Sequence, residues 1–124
     1  MTAKQETKKT AATATAAAPS TDFLGVLDKA KGLNSKVFSL ARLELLSQLA
    51  RVAPDGVTFR ELKAVLGLTD GALYANLKAL QETGYAQSET VNVSGKELEA
   101  FRITRDGLEE WMRVKTWLAE FASV

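Results

Sequence analysis

The chain contains no cysteine and no histidine. Their absence removes thiolate and imidazole metal sites, thiol redox sensing, and catalysis by either residue. No apolar run approaches the roughly 20 residues of a membrane-spanning helix. Met1 is not followed by a basic segment and an apolar signal core. The expectation is a cytoplasmic protein with no membrane partner. An excess of one charge is also lacking: the formal net charge is +1, so bulk charge does not announce a nucleic-acid binder. Serines and carboxylates are scattered, without a paired base, metal ligands or a glycine-rich phosphate loop. Neither an enzyme nor a cofactor is expected.

What is present suits one domain. The chain has 124 residues, 46% of them hydrophobic, enough for a packed core. Residues 1–20 are alanine, threonine and lysine with almost no large apolar side chain, and are expected to be a disordered tail. The tail sets Lys4, Lys8 and Lys9 against Glu6. It could attract phosphate non-specifically, but a solubilising segment is the preferred reading. A domain is expected over residues 21–124.

The stretch from Thr58 to Tyr85 organises that domain. Thr58 and Glu61 have the spacing of a capping box. Leu62, Val65 and Leu66 follow as one apolar face, and Gly67 is placed to end the helix in a left-handed conformation. Thr69 is placed to cap a second helix, where Leu73, Leu77 and Leu80 recur on one side. Gly84 stops it. Two short helices joined by a tight turn containing glycine make a helix-turn-helix.

The flanks complete the pattern. Ser20 to Asp22 can cap a helix starting at Phe23, with Phe23, Leu24, Leu27 and Ala30 on one face, ended at Gly32. Ser39 is placed to cap the next helix, in which Leu40, Leu43, Leu46 and Leu49 recur every third residue, broadened by Leu45 and Ala50. Pro54-Asp55-Gly56 reads as a turn. Val57 and Phe59 suggest a very short strand. After Gly84, YAQSETVNV and ELEAFRIT are strand-like runs around a Ser94-Gly95-Lys96 turn. Thr104 is placed to cap a last helix from about Arg105 to Ala122. There Trp111, Val114, Leu118 and Phe121 form a heptad-like seam, widened by Leu108, Met112 and Trp117.

The fold class that follows is mainly α with a small β-wing: a winged helix-turn-helix with an extra N-terminal helix and a long C-terminal helix. From about Leu33 to Leu118 the sequence resembles the small MarR/ArsR-type winged-helix transcriptional regulators. SLARLELLSQL resembles their opening helix. TFRELKAVLGLTDGALYANLKALQETGYAQSE resembles their helix-turn-helix and first wing strand, and FRITRDGLEEW the second wing strand with its Thr-x-x-Gly. The resemblance implies a DNA-binding regulator, usually a homodimer. The module departs from a basic face, because residues 56–107 hold six bases against seven acids.

The candidate DNA-binding residues are Lys63, Thr69, Asp70, Gly71, Tyr74, Ala75, Lys78 and Lys96. Thr69, Asp70 and Gly71 open the recognition helix, where free N–H groups can meet phosphate. Tyr74, Ala75 and Lys78 lie away from the leucine stripe. Lys96, at the hairpin tip, suits a wing contact as well as an ordinary exposed turn. Asn76 is expected to be half-buried and structural, and Arg42 to pair internally with a carboxylate. Phe23, Leu24, Leu27, Trp111, Val114, Trp117, Leu118 and Phe121 offer more apolar surface than one copy can hide, and are the candidate dimerisation residues. The expected function is a dimeric, sequence-specific double-stranded DNA-binding transcriptional regulator. The rival is a winged helix used for protein contact, as a scaffold or basal-transcription subunit. A third possibility is a regulator answering to a small apolar effector.

Overall fold

A computed structural model describes residues 21–124. The expected disordered tail, with Lys4, Glu6, Lys8 and Lys9, and the expected cap at Ser20 lie outside the described residues. The chain divides into two compact units, residues 33–116 and, among the described residues, 21–32 with 117–124. The elements in order are α1 (Thr21–Ala30), a 3-10 turn (Ser35–Val37), α2 (Leu40–Val52), β1 (Val57–Thr58), α3 (Phe59–Leu66), α4 (Asp70–Glu82), β2 (Ala86–Val93), β3 (Lys96–Ile103) and α5 (Arg105–Ala122). This is the winged-helix order of elements that the pattern predicts.

Local chemistry sets the boundaries in the larger unit. Thr58 and Glu61 form the reciprocal capping box at the start of α3: Glu61 N–H donates to Thr58 Oγ1 at 3.2 Å, and Thr58 N–H to Glu61 Oε1 at 2.9 Å. The Thr58 N–H, and second to it the Thr58 hydroxyl at 3.0 Å, donate to Glu61 Oε1 and stabilise its charged form, holding the carboxyl below the usual carboxylate range. Gly67, at φ 67°, ends α3 in the left-handed region. Thr69 Oγ1 accepts from Ala72 N–H at 3.1 Å and starts α4. At the other end of α4, Tyr85 N–H reaches Leu80 O at 2.8 Å and Gly84 N–H reaches Gln81 O at 3.0 Å. With Gly84 at φ 87°, this is a Schellman ending.

The strands form an antiparallel sheet in the order β1-β3-β2. The β2–β3 ribbon runs from Ala86↔Ile103 at its base to Val93↔Lys96 at its tip. The connecting turn is Ser94-Gly95, at φ 52° and 81°, both left-handed as a two-residue I′ hairpin requires. Lys96 is therefore the first residue of β3 rather than part of the turn.

Thr104 then starts α5, its Oγ1 accepting from Gly107 N–H at 3.0 Å and donating to Gly84 O at 2.6 Å. Gly107 packs directly on the Tyr85 carbonyl. A Cβ there would collide with the Tyr85 oxygen and come within 2.9 Å of Ile103 Cγ1, which is a steric reason for the Thr-x-x-Gly spacing.

The core of this unit is Leu45, Leu46 and Leu49 from α2, Leu62 from α3, Leu73, Leu77 and Leu80 from α4, Phe101 and Ile103 from β3, and Val114 from α5. Each such side chain contributes about 1.5–3 kcal/mol on burial. Several expected positions differ. Leu40 is 75% exposed and Leu43 only half-buried. At about 100° per residue, a three-residue repeat drifts backwards, so Leu40 and Leu49 lie half a turn apart. Val65 is 60% exposed, because α3 turns its Leu62–Leu66 side inward instead. Val114 is fully buried within one copy. It belongs to the core, and this corrects its assignment to a dimer surface.

In the smaller unit, Trp117 Nε1–H donates to Val26 O at 2.8 Å. The Trp117 ring stacks on Phe121, with centroids 4.9 Å apart. Lys29 pairs with Glu120 at 3.1 Å. Val26 of α1 is buried, whereas Leu24 and Leu27, from the face read as apolar and offered for dimerisation, are exposed.

Candidate nucleic-acid interface

The outer side of α4 is the place to look, because its inner side is occupied. Leu73, Leu77 and Leu80 are at most 1% exposed, which fixes the rotation of the helix. Asp70, Tyr74 and Lys78, four residues apart, stand outward in one row, with Gly71 and Ala75 beside them; all five are exposed. A Cβ on Gly71 would meet nothing within 4 Å, so the fold has no steric need for glycine there. In the first turn of a helix, that glycine leaves backbone open to an approaching surface.

Charge on this face is locally balanced. Lys63 from α3 crosses the turn and pairs with Asp70, Nζ to Oδ1 at 2.7 Å. Thr69 is exposed, but its hydroxyl is engaged as the α4 cap. Lys78 is exposed on the same helix. Lys96 stands apart at the wing tip, seven residue steps or about 23 Å along the ribbon from its base. The structure thus brings Lys63 and Asp70 into contact, aligns Tyr74 and Lys78 with them, and places Lys96 on a separate element.

Alternation along the wing sorts its side chains onto two faces. Val91, Val93, Lys96 and Leu98 share one face; Thr90, Asn92, Glu97 and Glu99 share the other. Arg102, nearer the base, is paired with Glu89 at 3.2 Å.

One connection supports α4 from behind. Asn76, half-buried, donates through Nδ2 to Ala72 O at 2.7 Å and accepts at Oδ1 from Arg42 Nε at 3.0 Å. Arg42 also donates through Nη1 to Lys36 O at 2.8 Å. The expected carboxylate partner of Arg42 is thereby corrected: its partners are an amide and a backbone carbonyl, because Asn76 faces α2 across the helix pair. A separate polar cluster joins α5 to the loop before α2. Glu110 of α5, 2% exposed, accepts from Asn34 N–H at 2.9 Å and from Arg113 Nη2 at 2.7 Å. The hydrogen bond to Glu110, and then the attraction of its charge, hold the Arg113 guanidinium above its ordinary range. Asn34 Nδ2 donates in turn to the Tyr85 hydroxyl at 3.2 Å. The one sequence signal for Glu110 is its i, i+3, i+7 register with Gly107 and Val114.

Between α2 and α5 lies an open groove of about 320 Å³, floored by Ala50, Leu108, Trp111 and Met112 and edged by Arg51 and Lys115. In the smaller unit, Leu24 is 53%, Leu27 40% and Phe121 43% exposed, whereas Phe23, Trp117 and Leu118 are half-buried. No helix among the described residues is long and apolar enough to cross a membrane.

The family model described as a winged helix DNA-binding domain matches residues 41–122. Solved structures share the fold. A transcriptional regulator homologue from Pyrococcus horikoshii OT3 is 20% identical with a TM-score of 0.60, over 82% of this chain and 91% of that one. Staphylococcus aureus MepR, solved as a DNA complex, is 14% identical with a TM-score of 0.63, over 82% and 79%. The heme sensor protein PefR from Streptococcus agalactiae, in complex with heme, is 12% identical with a TM-score of 0.62, over 77% and 65%. A comparison with curated proteins gives no match.

Proposed function

This chain belongs to the winged helix DNA-binding domain family, and from that premise we propose that it is a sequence-specific, double-stranded DNA-binding transcriptional regulator acting as a homodimer. The observation that carries the reading is the division of α4. The core takes its three leucines, and the opposite row of Asp70, Tyr74 and Lys78 is exposed. A major groove admits a helix of this kind, and the N-terminal residues of the second helix then meet base edges. With charges nearly balanced, affinity rests on a few placed cations, Lys63, Lys78 and Lys96, rather than on a general basic field. That a protein of the same fold was solved with DNA supports the reading. Exposed Leu24, Leu27 and Phe121 support pairing of two copies. Cytoplasmic residence accords with a DNA partner. The apolar floor of the groove between α2 and α5 is the observation that supports a small apolar effector.

One observation favours the protein-contact reading. The wing tip exposes Val93 and Leu98 with Lys96 on one face and the acids Glu97 and Glu99 on the other, so neither face is a basic surface suited to phosphate. Titration of wild-type protein into labelled promoter-region and scrambled duplexes at two salt concentrations separates the readings. Preference for one promoter duplex, weakening as salt rises, supports the regulator. A folded protein that binds no duplex at low salt leaves the protein-contact module in its place.

A further inference from the structure

Resting on the DNA reading above, we propose that Asp70 reads a cytosine, accepting a hydrogen bond from its N4 amine in the major groove while Lys63 neutralises the carboxylate and reaches the adjoining phosphate. A carboxylate on a DNA-facing surface is repelled by the phosphates, so its presence at the head of the exposed row calls for a compensating contact. A role confined to the helix dipole needs no cation partner. Here Lys63 comes across from α3 to within 2.7 Å of Oδ1. The pair has no net charge, and the Asp70 side chain remains 71% exposed, leaving its second oxygen open to an external donor.

The donor's identity follows from hydrogen-bond chemistry. An ionised carboxylate only accepts. The base-edge donors in the major groove are the amines of cytosine and adenine. Adenine presents its N7 acceptor beside the amine, which repels a second carboxylate lone pair, so cytosine is the better match. The surface next to Asp70 allows the approach: Gly71 has no side chain and no internal reason to lack one, and Ala75, one turn on, carries a methyl. Lys78 ends the row with a donor suited to guanine O6 and N7. From Asp70 to Lys78 the helix rises about 12 Å, or three to four base steps. If Lys78 meets a base rather than phosphate, the half-site carries a guanine at that spacing from the cytosine.

The test is selection from a random duplex library with wild type, Asp70→Asn and Lys63→Met, with thermal melts confirming that each is folded. Wild type is expected to enrich cytosine at one position of the half-site by about tenfold, the smaller end of a base contact. Asp70→Asn, whose amide both donates and accepts, is expected to move that position to adenine and leave the others unchanged. Lys63→Met is expected to keep the cytosine, weaken all duplexes alike and lower the salt slope by about 1. If Asp70→Asn strengthens every duplex equally without altering base preference, Asp70 merely repels phosphate and the proposal is overturned. A wild-type selection without an enriched cytosine overturns it too, while binding persists. Wild type that binds no duplex overturns it together with the DNA reading itself.

Discussion

Arg42 of α2 and Asn76 of α4 are joined by a single hydrogen bond, Nε–H to Oδ1 at 3.0 Å. The same Asn76 amide donates back to Ala72 O, and the same guanidinium holds Lys36 O. The entry to α2 is thus fastened to the middle of the recognition helix. Asn76→Ala removes both amide bonds and leaves a half-buried guanidinium nitrogen without its partner. Denaturant unfolding should show a loss of about 1–3 kcal/mol. An unchanged midpoint would mean that water replaces the amide at no loss.

Gly107 is required by space rather than by backbone conformation. Gly107→Ala puts a methyl against the Tyr85 carbonyl and Ile103, and backbone must move to relieve it. The expected loss is about 1–3 kcal/mol or more, the range for overpacking, read as a lower thermal midpoint. Gly71→Ala, with nothing near its Cβ, should be neutral or slightly stabilising in the same experiment.

The two glycines illustrate what a sequence reveals and what it hides. Both sit in a first helical turn, and only the path of Tyr85 distinguishes them. Features that depend on near neighbours are legible: the Thr58–Glu61 box, the left-handed Gly67, the stop at Gly84, the Thr69 cap and the leucine side of α4 each follow from residues within one or two turns. The pattern misleads where an outside element decides. Leu40 matched a stripe by spacing, yet the helix rotates it away from what α2 packs on. Val114 matched a heptad-like seam but lies inside the copy. Glu110 looks like any solvated helical charge until the Asn34 loop covers it. Of the candidate site, the row on α4 could be placed from the leucine period, whereas the contact between Lys63 and Asp70 depends on how the turn brings α3 to α4.

Glu61 provides a pH dependence. Its folded carboxyl lies below the usual range because the charged form accepts the Thr58 bonds. A depressed folded value means the contribution is present in full above the ordinary carboxylate range, about pH 4–5, and is lost as pH falls through the folded value. The stability difference between wild type and Glu61→Gln should therefore be largest at neutral pH and close in acid. Thr58→Ala should lower stability by about 1 kcal/mol at neutral pH. A Glu61→Gln gap that ignores pH would contradict the assignment.

The exposed apolar residues of the smaller unit predict self-association. Wild type should scatter light as a dimer at micromolar concentration, and Leu24→Glu should shift it toward monomer without lowering the melting temperature at high protein dilution. A wild-type monomer would remove the homodimer from the account.

The most direct measurement of the central claim, that the outer row of α4 contacts DNA, is fluorescence anisotropy with Tyr74→Ala and Lys78→Ala against specific and scrambled duplexes at two salt concentrations. Both side chains are exposed, so both variants should melt like wild type. Tyr74→Ala should lose about 1–3 kcal/mol of preference for the specific duplex. Lys78→Ala should weaken both duplexes alike and flatten the salt slope by about 1 if Lys78 meets phosphate, or lose preference for the specific duplex if it meets a guanine. Two folded variants that bind both duplexes as tightly and selectively as wild type would contradict the claim and move the DNA surface elsewhere.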